Sequence, residues 1–341
     1  QQATLGTAYL SSASTYLVGG MQTVSDPIVN LRVYGTTSTA LTDAIAALPA
    51  AGGTILIPQG MTVTLNTSVT LSKPLMIRGE GDSSILQGTA NPILISDTGN
   101  TSTISLRDFK IITASANTGV KIAKSFPGGA RPMFDIENVS FHASGSGGVL
   151  LDLDIVVGGH VAHCTFTSAN GTAGSTVGVR CLGTAVQGTQ SVHLLDNQMW
   201  NLDVCLQGIG LASATIYMAG IEVTGSKLLI ANKGIDWRHG DYFVCAENVI
   251  DQIHQPLIID SDKVRVLNNY IGIASALNNN AVVFQATSTE NFVQDYIVQN
   301  NMIIGLNPTG QDAIKVDASV YLLQFGQIAY NNISNFNAGV K

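Results

Sequence analysis

Short alternations of apolar and polar residues follow one another along most of the chain, and one eight-residue phrase recurs among them. It reads ISLRDFKI at 104–111, FDIENVSF at 134–141, VHLLDNQM at 192–199, FVCAENVI at 243–250, VRVLNNYI at 264–271 and YIVQNNMI at 296–303. Weaker copies are GHVAHCTF at 159–166, IEVTGSKL at 221–228 and QIAYNNIS at 327–334. Each copy alternates apolar positions, places a small or polar residue at a corner, and resumes an apolar position three residues on. Starts fall 21 to 33 residues apart, a spacing that marks solenoid repeats.

Between copies lies a further apolar strand: VLLDLDI (149–155), VGVRCLG (177–183), VCLQGIG (204–210), GIDWRHG (234–240), PLIIDSD (256–262), AVVFQAT (281–287) and AIKVDAS (313–319). Upstream, GTILIPQG, MTVTLNTSVTLS and KPLMIRGEG form short strands divided by Gly and Pro. A helix is predicted over 38–49. Leu41, Ile45 and Leu48 share its apolar face, Ser38 or Thr39 begins it, and Pro49 with Gly52 and Gly53 ends it. Parallel sheets normally need helical crossovers, yet only this helix is readable, so each coil must be its own crossover. The predicted fold is all-β: a single-stranded right-handed parallel β-helix with three strands per coil, about ten coils, and the short helix capping its N-terminal end. Residues 1–35 lack periodicity and read as a leader or partner-contact segment before a β-helix domain at 36–341.

The order of helix, GGTILIPQG, strand pair, PLMIRGEG and NN-corner coils resembles the pectate-lyase superfamily, in the branch that includes phage tailspike depolymerases. The GDGVTDDT-like stretch common before the helix in that branch is replaced here by VYGTTSTALTDA. The resemblance implies a carbohydrate cleft along one sheet, a bacterial surface polysaccharide (capsular or O-antigen) as partner, a parallel homotrimer, and a place on a virion tail. A secreted bacterial enzyme is the alternative.

Composition narrows the classes. Charged residues are 11% of 341, about half the usual share, against 45% hydrophobic, and the formal charge is −7. No basic patch is visible, which argues against nucleic acid. No apolar run approaches the roughly 18 residues of a membrane helix, so membrane insertion is not expected. None of Cys164, Cys181, Cys205 and Cys245 sits in a CxxC pair, so they read as reduced, buried small hydrophobes rather than zinc ligands. No signal-peptide pattern opens the chain at Gln1.

Scarce charges gather in one register. On the strand preceding each copy, the outward phase reads Asp152 and Asp154, Gly178 and Arg180, Cys205 and Gln207, Asp236 and Arg238, Ile258 and Asp260, Val283 and Gln285, Lys315 and Asp317. Leu151, Leu153, Val177, Val179, Leu206, Ile235, Trp237, Leu257, Ile259, Phe284, Ile314 and Val316 point inward, with His239, Asp241 and Asp262 at the stripe's margin. Stacked Asp and Arg that merely neutralise one another remain an alternative. A second column, Asp135, His160, His193 and Glu222, occupies the second position of four successive copies. It suits a proton relay or metal, or a polar surface or subunit interface. The corner residues Asn268, Asn300 and Asn331, with Asn138, read as structural. Tyr242, Tyr270, Tyr296 and Trp200 are weaker candidates for sugar-stacking platforms.

Two reactions compete on the stripe, with hydrolysis by a tailspike-like depolymerase the favoured reading and elimination the alternative. Hydrolysis assigns acid and base to Asp236 and Asp260, with Arg238 holding one carboxylate ionised and Asp152, Asp154, Arg180, Gln207 and Asp262 binding sugar. Elimination on a uronate assigns the base to His239 and the cations to Arg180 and Arg238. No metal or cofactor is expected, except calcium on Asp152, Asp154 and Asp236 if the reaction is a calcium-assisted elimination. A third reading is a non-catalytic glycan-binding spike.

Overall fold

The computed structural model describes residues 27–96, 103–114, 116–123, 134–183, 188–210, 218–274, 279–285, 295–306, 310–317 and 326–341. The chain winds through three sheets in turn. Sheet A holds the strand before each copy of the phrase, sheet B the first half of the phrase and sheet C the second half. Val149–Asp154, for example, is followed by Val157–Ala162 in sheet B and Thr165–Ser168 in sheet C, before Val177–Leu182 returns to sheet A. All strand pairings among the described residues are parallel, apart from an isolated bridge between Gly183 and Gly188. Crossovers between parallel, twisted strands are right-handed. Three strands, Gln198–Ile209, Lys227–Ala246 and Val249–Leu267, run through corners without a break, because these coils carry the shortest connections.

The corner of the phrase explains the repeat. Its fifth residue adopts a left-handed conformation in all nine copies, with φ between 52° and 66°, at Asp108, Asn138, His163, Asp196, Gly225, Glu247, Asn268, Asn300 and Tyr330. Such geometry favours Asn, Asp and Gly. Its sixth residue turns inward and carries a hydrogen-bonded ladder. Backbone N–H groups of Cys164, Asn197, Ser226, Asn248, Asn269 and Asn301 each donate to a side-chain oxygen on the next rung, at Asn197, Ser226, Asn248, Asn269, Asn301 and Asn331 (2.8–3.1 Å). Asn268, Asn300 and Asn138 therefore shape the turn, whereas Asn331, one position on in the repeat, is the partly buried last rung of the ladder. Gln327 pairs with Ile297, so the ninth copy runs 326–333, one residue earlier than the alternation suggests.

Inside, the core is a set of columns along the axis. One runs Leu153, Cys181, Gly208, Trp237, Ile259, Phe284 and Val316. The glycine makes room for the fully buried tryptophan: a Cβ on Gly208 would lie 2.2 Å from the indole ring. All four cysteines are buried and free of disulfides, as their reading as small hydrophobes implied. Where the chain enters sheet A, two consecutive residues point inward, as with Cys205 and Leu206, Ala281 and Val282, and Ala313 and Ile314, all fully buried. Cys205 and Gly178, read as outward, are thus inside. Val177, read as core, instead joins a separate buried cluster with Val149 and Val204.

The α-helix, Ala40–Ala47, stands where the first coil would place a sheet A strand and packs against Val69–Leu71 and Ile28–Asn30. It buries Leu41, Ile45 and the following Leu48. Thr39 begins the helix without a side-chain cap. Leu48 is extended because Pro49 follows, and the Lys73 ammonium donates to the carbonyls of Ile45 and Ala46 at the helix's negative end. Ile28–Asn30 pairs with Thr54–Leu56, so the first β-helix strand lies inside the segment set apart as 1–35; residues 1–26 of that segment lie outside the described residues.

Candidate functional site

Sheet A brings the stripe together in the expected register. One outward column runs Lys121, Asp152, Arg180, Gln207, Asp236, Ile258, Val283 and Lys315; the next runs Asp154, Leu182, Ile209, Arg238 and Asp260, and Gln285 pairs with Asp317 farther along. Rungs are about 4.8 Å apart, so a charge on one strand meets its neighbour directly.

The charges are arranged as interlocked pairs. Asp152, only 2% exposed, accepts two hydrogen bonds from the Arg180 guanidinium, both 2.9 Å. That hydrogen bond holds Arg180 above its ordinary pKa, more firmly charged. Lys121 lies 2.9 Å from Asp154 and 4.0 Å from Asp152. Farther along, Asp236 accepts from Lys233 (2.7 Å) and from Arg238 Nε. Burial alone pushes the Asp236 carboxyl up, but the hydrogen bonds and charges of Arg238 and Lys233 outweigh it and hold the group below the usual carboxylate range. Asp236 is therefore a fixed anion, unsuited to donating a proton near neutral pH.

Asp260 is fully buried on the next rung, in register with Arg238. Two residues along and one rung across place its Cα on the order of 8 Å from that of Asp236. Its Oδ2 lies 3.4 Å from Nδ1 of His239. His239 owes its position to a β-bulge: pairing shifts between Arg238 and Gly240, and His239 itself has φ 55°. A bulge re-aims a side chain that alternation would send inward. The imidazole thus stands at the edge of sheet A, partly exposed, with a buried carboxylate behind it. An imidazole with an orienting carboxylate is a candidate proton-transfer group on geometry alone.

Other expectations separate. Asp262 pairs in register with Asp241 at the start of the sheet B strand, beyond the corner from the stripe. Ile258 is 6% exposed within this chain, so it offers little lateral surface. Asp152 and Asp236 lie three rungs apart, roughly 14 Å, so the calcium trio of Asp152, Asp154 and Asp236 is not assembled. Among the described residues, no group of three or more His, Cys, Asp and Glu side chains is placed to hold a metal. Tyr296 packs on Phe284 with ring centroids 4.8 Å apart, a core contact, while Tyr242 is exposed. Lys121 and Lys233 escaped the sequence reading. VKIA at 120–123 is one more sheet A strand, and Lys233 precedes its strand by a corner.

The second column forms on sheet B. Asp135, His160, His193 and Glu222 are register partners in that order. His193 Nδ1 lies 3.0 Å from Glu222 Oε2, and the two imidazoles meet edge to face at 5.4 Å. Asp135 is bound to Arg107, which also reaches Glu137 at 2.7 Å. This column lies on a different face from His239.

No protein-family model matches the chain, and no curated protein matches it in sequence. Solved structures do. A mannuronic acid specific polysaccharide family 6 lyase from human gut microbiota superposes with a TM-score of 0.63 at 13% identity, over 89% of this chain and 73% of that one. The A-module of a mannuronan C-5 epimerase from Azotobacter vinelandii gives 0.61 at 15% identity, covering 91% and 99%. The fold is the right-handed parallel β-helix. Dettilon tailspike protein shares this β-helix with a TM-score of 0.57 at 10% identity, over 96% of this chain and 74% of the tailspike. At these identities the likeness carries the fold. No described helix is long and apolar enough to cross a membrane.

Proposed function

We propose that this β-helix cleaves a uronate-containing bacterial surface polysaccharide laid along sheet A, by β-elimination with His239 as base. The carrying observation is the His239–Asp260 pair, 3.4 Å apart, beside Arg238 on a sheet whose outward stripe carries paired acids and bases. Asp260 orients the imidazole through Nδ1, leaving Nε2 to take the proton on the ring carbon beside the uronate carboxylate. The C–H electron pair forms the new ring double bond as the glycosidic C–O bond breaks, and the leaving oxygen takes a proton from solvent. Arg238 supplies positive charge for the carboxylate of the reacting uronate, and Arg180 and Lys121, two and four rungs away on the same sheet, face further uronates of the polymer. Hydrolysis by Asp236 and Asp260 fits less well, because Asp236 is held ionised by two cations and Asp260 is fully buried. The two neighbours named for mannuronic acid and mannuronan support a uronate substrate. The tailspike neighbour supports an extracellular setting on a virion tail, with a secreted enzyme as the alternative; the homotrimer rests on the family resemblance alone.

The test is digestion of a panel of uronate polysaccharides, read by ultraviolet absorbance of the unsaturated product. His239→Gln should abolish the signal while leaving the fold intact. New reducing ends without that absorbance, lost in Asp236→Asn or Asp260→Asn, would instead establish hydrolysis. Binding with no cleavage of any panel member would establish a non-catalytic spike.

A further inference from the structure

A concave site lies on another face, near the N-terminal end. Sheet B supplies its floor through Ile28, Thr54, Leu56 and Arg78, and the segment 79–82 with the corner residues Asp108 and Asn138 supplies its wall, enclosing about 860 Å³. Six rungs separate Arg78 from Ala246, in the coil that carries His239. At about 4.8 Å per rung, the two sites stand roughly 29 Å apart.

The wall is fixed in place before any ligand arrives. Gly81 N–H donates to the Asp108 carbonyl at 2.8 Å, and Gln59 N–H donates to the Glu80 carboxylate at 2.7 Å. Ser84 Oγ donates to the Ile57 carbonyl at 2.9 Å. The Ser140 hydroxyl donates to Asp82 at 2.6 Å, although Ser140 lies two rungs farther along sheet C. Within the groove, Asp108 is held between Arg78 (3.3 Å) and the Asn138 amide (3.2 Å). Both corner side chains are aimed by the left-handed turn that the repeat imposes.

We propose that this groove binds neutral sugar residues of a glycan, independently of the reaction on sheet A. A sugar ring has an apolar face and a rim of hydroxyls that both donate and accept. The groove offers an apolar floor in Ile28 and Leu56, acceptors in Glu80, Asp82 and Asp108, and donors in Arg78 and Asn138. Three carboxylates against one guanidinium disfavour a uronate here, whereas along sheet A Lys121, Arg180, Lys233 and Arg238 offset the carboxylates they pair with. The volume lies within the roughly 300–1,000 Å³ range of small-ligand sites, enough for a short oligosaccharide. Pre-fixed walls reduce the ordering cost of binding.

The experiment is saturation-transfer NMR and calorimetry on the whole chain with neutral trisaccharides built from glucose, mannose and galactose, and uronate trisaccharides as controls. At least one neutral trisaccharide should bind with a dissociation constant of roughly a millimolar or tighter. Asp108→Asn keeps a residue suited to the left-handed corner, as Asn138, Asn268 and Asn300 show, and should weaken binding about tenfold or more. Thr54→Trp, which fills the floor from a strand position, should abolish it. His239→Gln should leave it unchanged, which separates this site from the sheet A reading. Absence of neutral-sugar binding, binding that survives Thr54→Trp, or a preference for the uronate controls would each overturn the proposal.

Discussion

Asn269 is the rung of the buried ladder whose removal has the most readily calculated effect. Its Oδ1 accepts from the backbone N–H of Asn248 (2.9 Å) and from the Asn248 amide (3.0 Å); its Nδ2 donates to the Cys245 carbonyl and to Asn301 Oδ1, both 2.9 Å. In Asn269→Ala, the Asn248 amide still reaches Val223 O and Asn301 Oδ1 still accepts from the Asn269 backbone. Two buried backbone groups lose these partners: the N–H of Asn248 and the carbonyl of Cys245. At about 1–3 kcal/mol each, the expected loss is about 2–6 kcal/mol. The ladder contains its own control, because Ser226 occupies an equivalent rung and its hydroxyl accepts the Asn197 N–H at 3.1 Å. Asn269→Ser should therefore satisfy Asn248 again and recover about half of the loss. Urea unfolding gives the magnitude, and hydrogen exchange at the Asn248 amide gives its location. A loss below about 1 kcal/mol for Ala, or a Ser variant no more protected than Ala, would refute the ladder as a stabilising element.

Three further outcomes are expected. Gly208→Ala should destabilise by several kcal/mol or displace Trp237, visible as a shift in indole fluorescence, because its new methyl would sit 2.2 Å from the ring. The four thiols should resist alkylation in the folded chain and react fully in denaturant, since burial pushes Cys164 and Cys245 up to about 12 and Cys181 and Cys205 up as well. Asp236 has a folded pKa below its unfolded value, so its stabilising contribution is present above the unfolded value near 3.9 and lost as pH falls through the folded one. Asp236→Asn should remove that part of the acid-unfolding slope, measured by chemical denaturation between neutral pH and pH 2.

Much of this molecule was legible because strand alternation and coil stacking are both strict. The columns Asp152–Arg180–Gln207–Asp236 and Asp135–His160–His193–Glu222 follow from spacing alone, and the pairings reproduce them. Failures occur where alternation pauses. Entry into sheet A turns two successive residues inward, which hid Cys205. The left-handed corner separates turn-forming Asn268 from ladder-forming Asn269, a difference of one residue with opposite burial. A bulge carries His239 to Asp260, and nothing in the order of residues announces an unpaired position. The groove under the segment 79–82 also escaped, since its walls come from coils far apart in sequence.

Every copy of the phrase reaches the same left-handed stop at its fifth residue and seats its sixth inside. Chain direction and height are consequently reset once per coil, so a cut made at one corner meets a cut at another in the same orientation. Whole coils are interchangeable parts: excising one between Asp154 and Asp236 would bring the two groups one rung, about 4.8 Å, closer without redirecting either side chain. The length of sheet A is thus an integer property of the chain, adjustable by duplication or loss of a coil while the side chains at each rung keep their direction.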